Sequence, residues 1–234
     1  LPEIIDLAEK YDAVVMVDFD ESVRNLSAER FLVHVIQGDL NARGMLVGFN
    51  NRIGKDSLRS VIGGGNENAV GANATNAVID GGQDNSVGAR SAFAVIGGGR
   101  INDISTNSAY AVVSGGYNND IAANSPHAVI GGGQDNLIEY GSYGATIAGG
   151  VSNGIGGESF ASVIAGGIGN QVSSNAPGVF IGSGSGNTVH RWAGGAAISG
   201  GELNSIGLLG SMATIGGGSR NTVRAQAEYA VIGG

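Results

Sequence analysis

The sequence predicts an all-β fold, a parallel β-solenoid of about 11 coils with 17 residues per coil, and three observations carry that prediction. First, from Ser60 onward the chain repeats every 17 residues without insertion or deletion, with starts at Ser60, Ala77, Ala94, Ala111, Ala128, Ala145, Ser162, Val179, Ala196, Ala213 and Ala230. A fixed period of this size is the signature of stacked, near-identical units. Second, two columns of the repeat hold β-branched residues throughout. Third, 43 of the 44 glycines lie at or beyond Gly44, which divides the chain into residues 1–43 and a repeat domain, residues 44–234.

The elements of residues 1–43 are expected to form a small helix-and-strand cap or leader. Pro2 to Lys10 places Ile4, Ile5, Leu7 and Ala8 on one face of a short helix, with proline in its first turn. Ala13 to Asp18 reads as a buried strand ending in a carboxylate. Leu1 to Asp18 resembles a fragment of the α-oxoamine synthases, which are pyridoxal-phosphate enzymes. The resemblance implies that Asp18 occupies the place of the aspartate that holds the cofactor's ring nitrogen. The sequence then departs from that family at Phe19-Asp20-Glu21-Ser22, and the only lysines are Lys10, on the helix, and Lys55, in a repeat turn. Without a Schiff-base lysine, a cap for the solenoid is the expected role, and no cofactor is expected. Arg30 to Ile36 alternates as a strand would, and Met45-Leu46-Val47-Gly48 reads as a degenerate first coil.

Within a coil, positions are counted from the starts given above. The third runs Ile62, Ile79, Ile96, Val113, Ile130, Ile147, Ile164, Ile181, Ile198, Ile215 and Ile232. The eleventh runs from Val70 to Val223 in valine and isoleucine only, with Ile53 fitting ahead of it. Each lies in a segment of three to five residues bounded by glycine, which suits a short strand and not a helix. Two strands per coil, stacked about 4.8 Å apart, would bury two aliphatic side chains worth roughly 3–6 kcal/mol before entropy.

The ninth position is asparagine without exception: Asn51, Asn68, Asn85, Asn102, Asn119, Asn136, Asn153, Asn170, Asn187, Asn204 and Asn221. By strand alternation it shares a face with the eleventh, so an inward ladder of stacked amides is expected. The alternative is that asparagine is there for its tolerance of a left-handed turn. The glycines at positions five and six, such as Gly98 and Gly99, are expected at sharp corners. A phosphate-binding loop would need one such loop opening a helix, not ten between strands.

The second position holds Val61, Val78, Val95, Val112, Val129, Thr146, Val163, Phe180, Ala197, Thr214 and Val231, on the face opposite the isoleucines. A stripe of this length would be exposed on an isolated solenoid, so it is expected to be an oligomer interface. Ala94-Val95-Ile96-Gly97 and Ala128-Val129-Ile130-Gly131, with Ser108 or Ser125 preceding the strand, resemble the repeats of YadA-like heads of trimeric autotransporter adhesins and some phage fibres. The resemblance covers about four-fifths of the chain. It implies a left-handed β-roll in a homotrimer, with the valine stripe facing the trimer interior. The period of 17 and the triple glycines depart from that family.

Little in the sequence points to chemistry. There is no cysteine, and the acidic excess is 9 to 4 before Gly44 and 11 to 8 after it, which excludes a phosphate-tracking surface and makes nucleic acid an unexpected partner. His127 and His190 fall at different coil positions, and Asp84 and Asp135 are the only acids in a Gly-Gln-Asp-Asn turn, too few for a calcium array. Equal coil lengths argue against a solenoid hydrolase, and aliphatic spacings of eight and nine argue against a hexapeptide acyltransferase, which stays the enzymatic alternative. Tyr140, Tyr143, Arg191 and Trp192 are the candidate ligand contacts, toward a glycan or host-surface protein. No transmembrane run is present. The chain opens on Leu1 and closes in mid-motif on Gly234, as a fragment of a longer protein would. The expectation is therefore a non-enzymatic structural or adhesive rod of an extracellular, cell-surface or virion fibre, trimeric or assembled into filaments.

Overall fold

In each coil the β-branched pairs at positions two to three and ten to eleven form two short strands, and successive coils stack them in parallel. The computed structural model describes Gly44–Leu46 by backbone and residues 50–234 in full; the helix and strands expected before Gly44 lie outside these residues. The described residues form a parallel β-solenoid of about 11 coils, with no helix among them. One sheet has 12 strands, from Gly44–Leu46 through Ser60–Ile62 to Val231–Ile232; the other has 11, from Arg52–Ile53 to Thr222–Val223. Every strand pairs with the one in the next coil, so Val95 faces Val112 and Ile96 faces Val113.

The pairing offset is 17 residues everywhere but at the first coil, where Gly44 pairs with Ser60 and Leu46 with Ile62. The degenerate coil thus exists, with its strand at Gly44–Leu46, and it is one residue shorter than its successors.

A third line of pairing runs along position seven, from Asn66 and Gln83 through Arg100 and Tyr117 to Glu202 and Ser219. It is made by backbone alone and places no demand on the side chain.

The strands donate forward: Val78 N–H bonds to the carbonyl of Ala94 at 2.9 Å and Ser86 N–H to that of Asn102 at 2.9 Å. At positions 8, 14 and 17 the backbone is left-handed, and there the donor turns around. Asp84 (φ 56°), Arg90 (φ 58°) and Phe93 (φ 59°) give their N–H groups back to Asn66, Ala72 and Thr75 in the preceding coil, at 2.9–3.0 Å. Non-glycine residues seldom hold this conformation, but here each is fixed by a bond to the coil beside it. The coil closes on three such corners and a glycine bend.

Position six is glycine in all ten coils that reach it. At Gly167 (φ +95°) a Cβ would overlap the carbonyl oxygen of Gly184 and lie 2.7 Å from the Asn170 amide. The aliphatic residues at positions 3 and 11, from Ile62 and Val70 to Ile215 and Val223, are 0–3% exposed and form a single column of core with the alanines of position one.

Candidate functional site

The asparagines of position nine point into the solenoid. Asn68 through Asn204 are 0–1% exposed. None of these has a positive φ, so the left-handed role falls to the preceding residue and not to asparagine. Asn102 is typical: its Nδ2 donates to Asn85 Oδ1 (3.1 Å), the Gly98 carbonyl (3.0 Å) and the Gly116 carbonyl (3.0 Å), and its N–H donates to the same Asn85 Oδ1 (3.0 Å). The amide thereby satisfies the glycine bends of two coils. Only asparagine has this donor and acceptor pair on so short a stem, so leucine, serine or aspartate would each strand a buried partner.

A second polar column lies beside the core at position 15. Ser108 N–H donates to Ser91 Oγ (3.1 Å), and Ser91 Oγ donates to the Ser105 carbonyl (2.8 Å); Ser125 and Ser142 continue the pattern. In two coils with alanine at position 15 a serine at position one makes a bond of its own: Ser60 Oγ donates to the Ala74 carbonyl (2.6 Å) and Ser162 Oγ to the Ala176 carbonyl (3.0 Å). In sequence this column shows only as small residues, with the unbroken run Ser91, Ser108, Ser125, Ser142 and Ser159 as the signal to read. Both polar columns serve the fold and hold no accessible chemistry.

Three exposed features stand out among the described residues. The first is the position-two stripe, whose members meet in register from Val61 and Val78 to Thr214 and Val231. Most are half-buried, while Phe180 (44% exposed) and Val231 (75%) stand out into solvent. The strand pair therefore has one face in the core and one apolar face uncovered on the single chain.

The second is a stack of rings on the corner of position 17. Phe93 and Tyr110 lie parallel with centroids 4.9 Å apart, Tyr110 and His127 parallel at 5.0 Å, and Tyr143, one position earlier in its coil, closes the stack edge-on against His127 at 5.4 Å. The inter-coil rise sets this spacing, which coincides with that of favourable ring pairs. Of the candidate contacts named above, Tyr143 is thus engaged by His127, whereas Tyr140 and Trp192 stand exposed without a ring partner.

The third is on the outer face of the second sheet. Asp103 and Asp120 are paired in register, and Asp120 Oδ1 is buried without a hydrogen-bond partner. Burial, and then the neighbouring Asp103 charge, push the Asp120 carboxyl up to about 6. Burial also raises Asp103, against hydrogen bonds from Ser105 and Ser86 that lower it. Farther along the same face, a depression of about 440 Å³ runs beside Gly154 and Gln171 and reaches Arg191.

Asp84 and Asp135 sit at left-handed corners, and the Asp135 carboxylate is occupied by Asn118 (2.7 Å) and Gln134 (2.9 Å). No group of three or more His, Cys, Asp or Glu side chains able to hold a metal ion occurs among the described residues. His190 lies at position 12 and joins neither the ring stack nor the acid pair.

Comparison with known proteins gives one family match. The model of the FAD synthetase family matches residues 5–63, about a quarter of the chain. The part of that stretch described in the structure carries the first three strands of the solenoid, Gly44–Leu46, Arg52–Ile53 and Ser60–Ile62. Among curated proteins none matches the chain.

Proposed function

We propose that the chain is a structural and adhesive rod that self-associates through the position-two stripe and serves as part of an extracellular surface or virion fibre. The observation that carries this reading is the half-exposed, largely apolar face from Val61 to Val231, in which only Thr146 and Thr214 bring a hydroxyl. A stripe along 11 coils is far larger than the apolar patches that soluble monomers leave bare. At about 4.8 Å per coil the solenoid spans roughly 50 Å, a length suited to holding something at a distance. The homotrimeric, left-handed arrangement follows the resemblance to YadA-like heads, whose interior residue is the middle one of the strand motif. The interior is filled by aliphatic, asparagine and serine columns, which support reach and rigidity, not turnover.

The test is absolute mass in solution by light scattering. A mass of three chains supports the trimer, and a large polydisperse mass supports end-to-end filaments. A monodisperse single chain at working concentration would overturn self-association.

The family match favours one second reading, that residues 5–63 bring flavin-nucleotide chemistry of the FAD synthetase kind. Incubation with FMN and ATP, followed by chromatography for FAD, tests it; we expect no product, because the matched stretch runs on into the solenoid's own strands.

A further inference from the structure

We infer that the depression beside Gly154 and Gln171 is a binding site for an uncharged saccharide. Along the outer face of the second sheet, position ten carries Leu137, Gly154, Gln171 and Thr188 in successive coils. Gly154 is the one glycine in this column among the described strands, and its coil also has glycine at positions 12 and 13, Gly156 and Gly157. The three leave positions 10, 12 and 13 of this coil without side chains of their own, and the Gln171 amide from the next coil folds over Gly154. The result is a notch of about 440 Å³ across the rod, within the range of about 300–1,000 Å³ usual for small-molecule sites.

The walls present hydrogen-bonding groups that the protein leaves unused. Glu139 commits one carboxylate oxygen to the Gly157 N–H (2.9 Å) and keeps the other free. Gln171 donates from Nε2 to the Ser152 carbonyl (3.3 Å), which leaves its Oε1 as an acceptor beside Gly154. The hydroxyls of Ser173 and Ser174 and the guanidinium of Arg191 line the notch and make no hydrogen bond within the protein. Donors and acceptors are thus interleaved on all sides, the complement of a ring carrying several hydroxyls. Leu137 is the main apolar group in the lining, too little for a lipid or an aromatic ligand. Asp135 and Glu139 outweigh Arg191 in charge, which disfavours an anion. Just outside, Tyr140 (56% exposed) and Trp192 (51%) offer bare ring faces of the kind that pack on sugar C–H groups. The site lies on the second sheet, away from the position-two stripe, so it stands whether or not the chain self-associates.

The experiment uses the full chain on an array of immobilised neutral and acidic oligosaccharides, with calorimetry on the tightest neutral binder. At least one neutral oligosaccharide should bind. Gly154→Leu sets a side chain where the Gln171 amide lies and drives that amide into the notch, and should weaken binding about tenfold or more, as should Arg191→Ala. Arg100→Ala, at position seven of a distant coil, should not weaken it. Circular dichroism and solution mass of the variants should match the parent, which separates this test from that of self-association. Absence of any neutral binder, a preference for acidic glycans, or undiminished binding in both Gly154→Leu and Arg191→Ala would overturn the proposal.

Discussion

Asn102 gives both its backbone N–H and its side-chain amide to one oxygen, the Oδ1 of Asn85, at 3.0 and 3.1 Å, and this double bond from coil to coil recurs down the buried column. It makes the ladder a continuous spine in which each amide depends on the one before.

Removing one rung should therefore be costly. Asn119→Ala would leave the carbonyl of Gly115 and the N–H of Asn136 without a partner, while the Gly133 carbonyl would keep only the Tyr117 N–H. With each stranded buried group costing about 1–3 kcal/mol, a loss of roughly 3–5 kcal/mol is expected in chemical denaturation followed by circular dichroism. A loss below about 1 kcal/mol would mean that water replaces the amide.

Neighbouring glycines should respond differently to the same substitution. At Gly167 a Cβ overlaps the Gly184 carbonyl, whereas at Gly166 the nearest atom is 3.8 Å away, and the equivalent of Gly166 two coils on is Gly200 with Ser183 between them. Gly166→Ala is expected to cost about 1–3 kcal/mol through its φ of +145° alone, and Gly167→Ala clearly more, to the point of unstacking the coil. Equal melting temperatures for the two variants would contradict this.

The carboxyl of Asp120, raised above its ordinary 3.8 to about 6, predicts a pH dependence of known sign. Between about pH 4 and 6 the folded chain holds more protons than the unfolded one, so this group's contribution is fully present below pH 4 and is lost as pH rises through 6. Asp120→Asn should reduce that slope, leaving the smaller part that burial of Asp103 supplies, and raise stability at pH 7 by on the order of 1 kcal/mol, less than the full shift implies because solvent screens the pair. Denaturant midpoints from pH 4 to 7.5 check it, and Asp120→Asn leaving the slope intact would assign it elsewhere.

The uncovered stripe gives a sharper test than mass alone. Val95, Val112 and Val129 occupy three consecutive strands of the first sheet. Replacing all three with aspartate should reduce the assembly to single chains while the β-sheet circular dichroism signal persists, because the core faces of those strands, Ile96, Val113 and Ile130, are untouched. An assembly that survives the triple substitution is held by some other face.

What could be read from the sequence was whatever a side chain must do in every coil. The aliphatic columns at positions 3 and 11 declare themselves because no other residue type fills a narrow, dry interior. What backbone does alone left no trace. The pairing line at position seven accepts asparagine, arginine, tyrosine and isoleucine alike, since only N–H and carbonyl groups take part. The left-handed corners were half legible: asparagine, aspartate or glycine fills many of them, as at Asn73, Asn118, Asn124 and Gly144, while Phe93, Ile101 and Leu203 are poor choices for that conformation, and there the bonds to the neighbouring coil override their preference. Phe93, Tyr110 and His127 do stand one period apart, so the ring stack was present as a column, hidden by its mixture of phenyl, phenol and imidazole. The Gly154 notch was concealed for the opposite reason, as three more glycines in a chain where glycine ordinarily marks a bend.

The constant 17-residue register has a genetic consequence. Each coil's bonds run only to the coils before and after, at equivalent positions, so duplication or loss of one whole period between Ser60 and Gly234 presents every remaining residue with a partner of the kind it already had. Related genes can change the rod's reach by unequal recombination, one increment at a time, while a change of any other size would break the register at once.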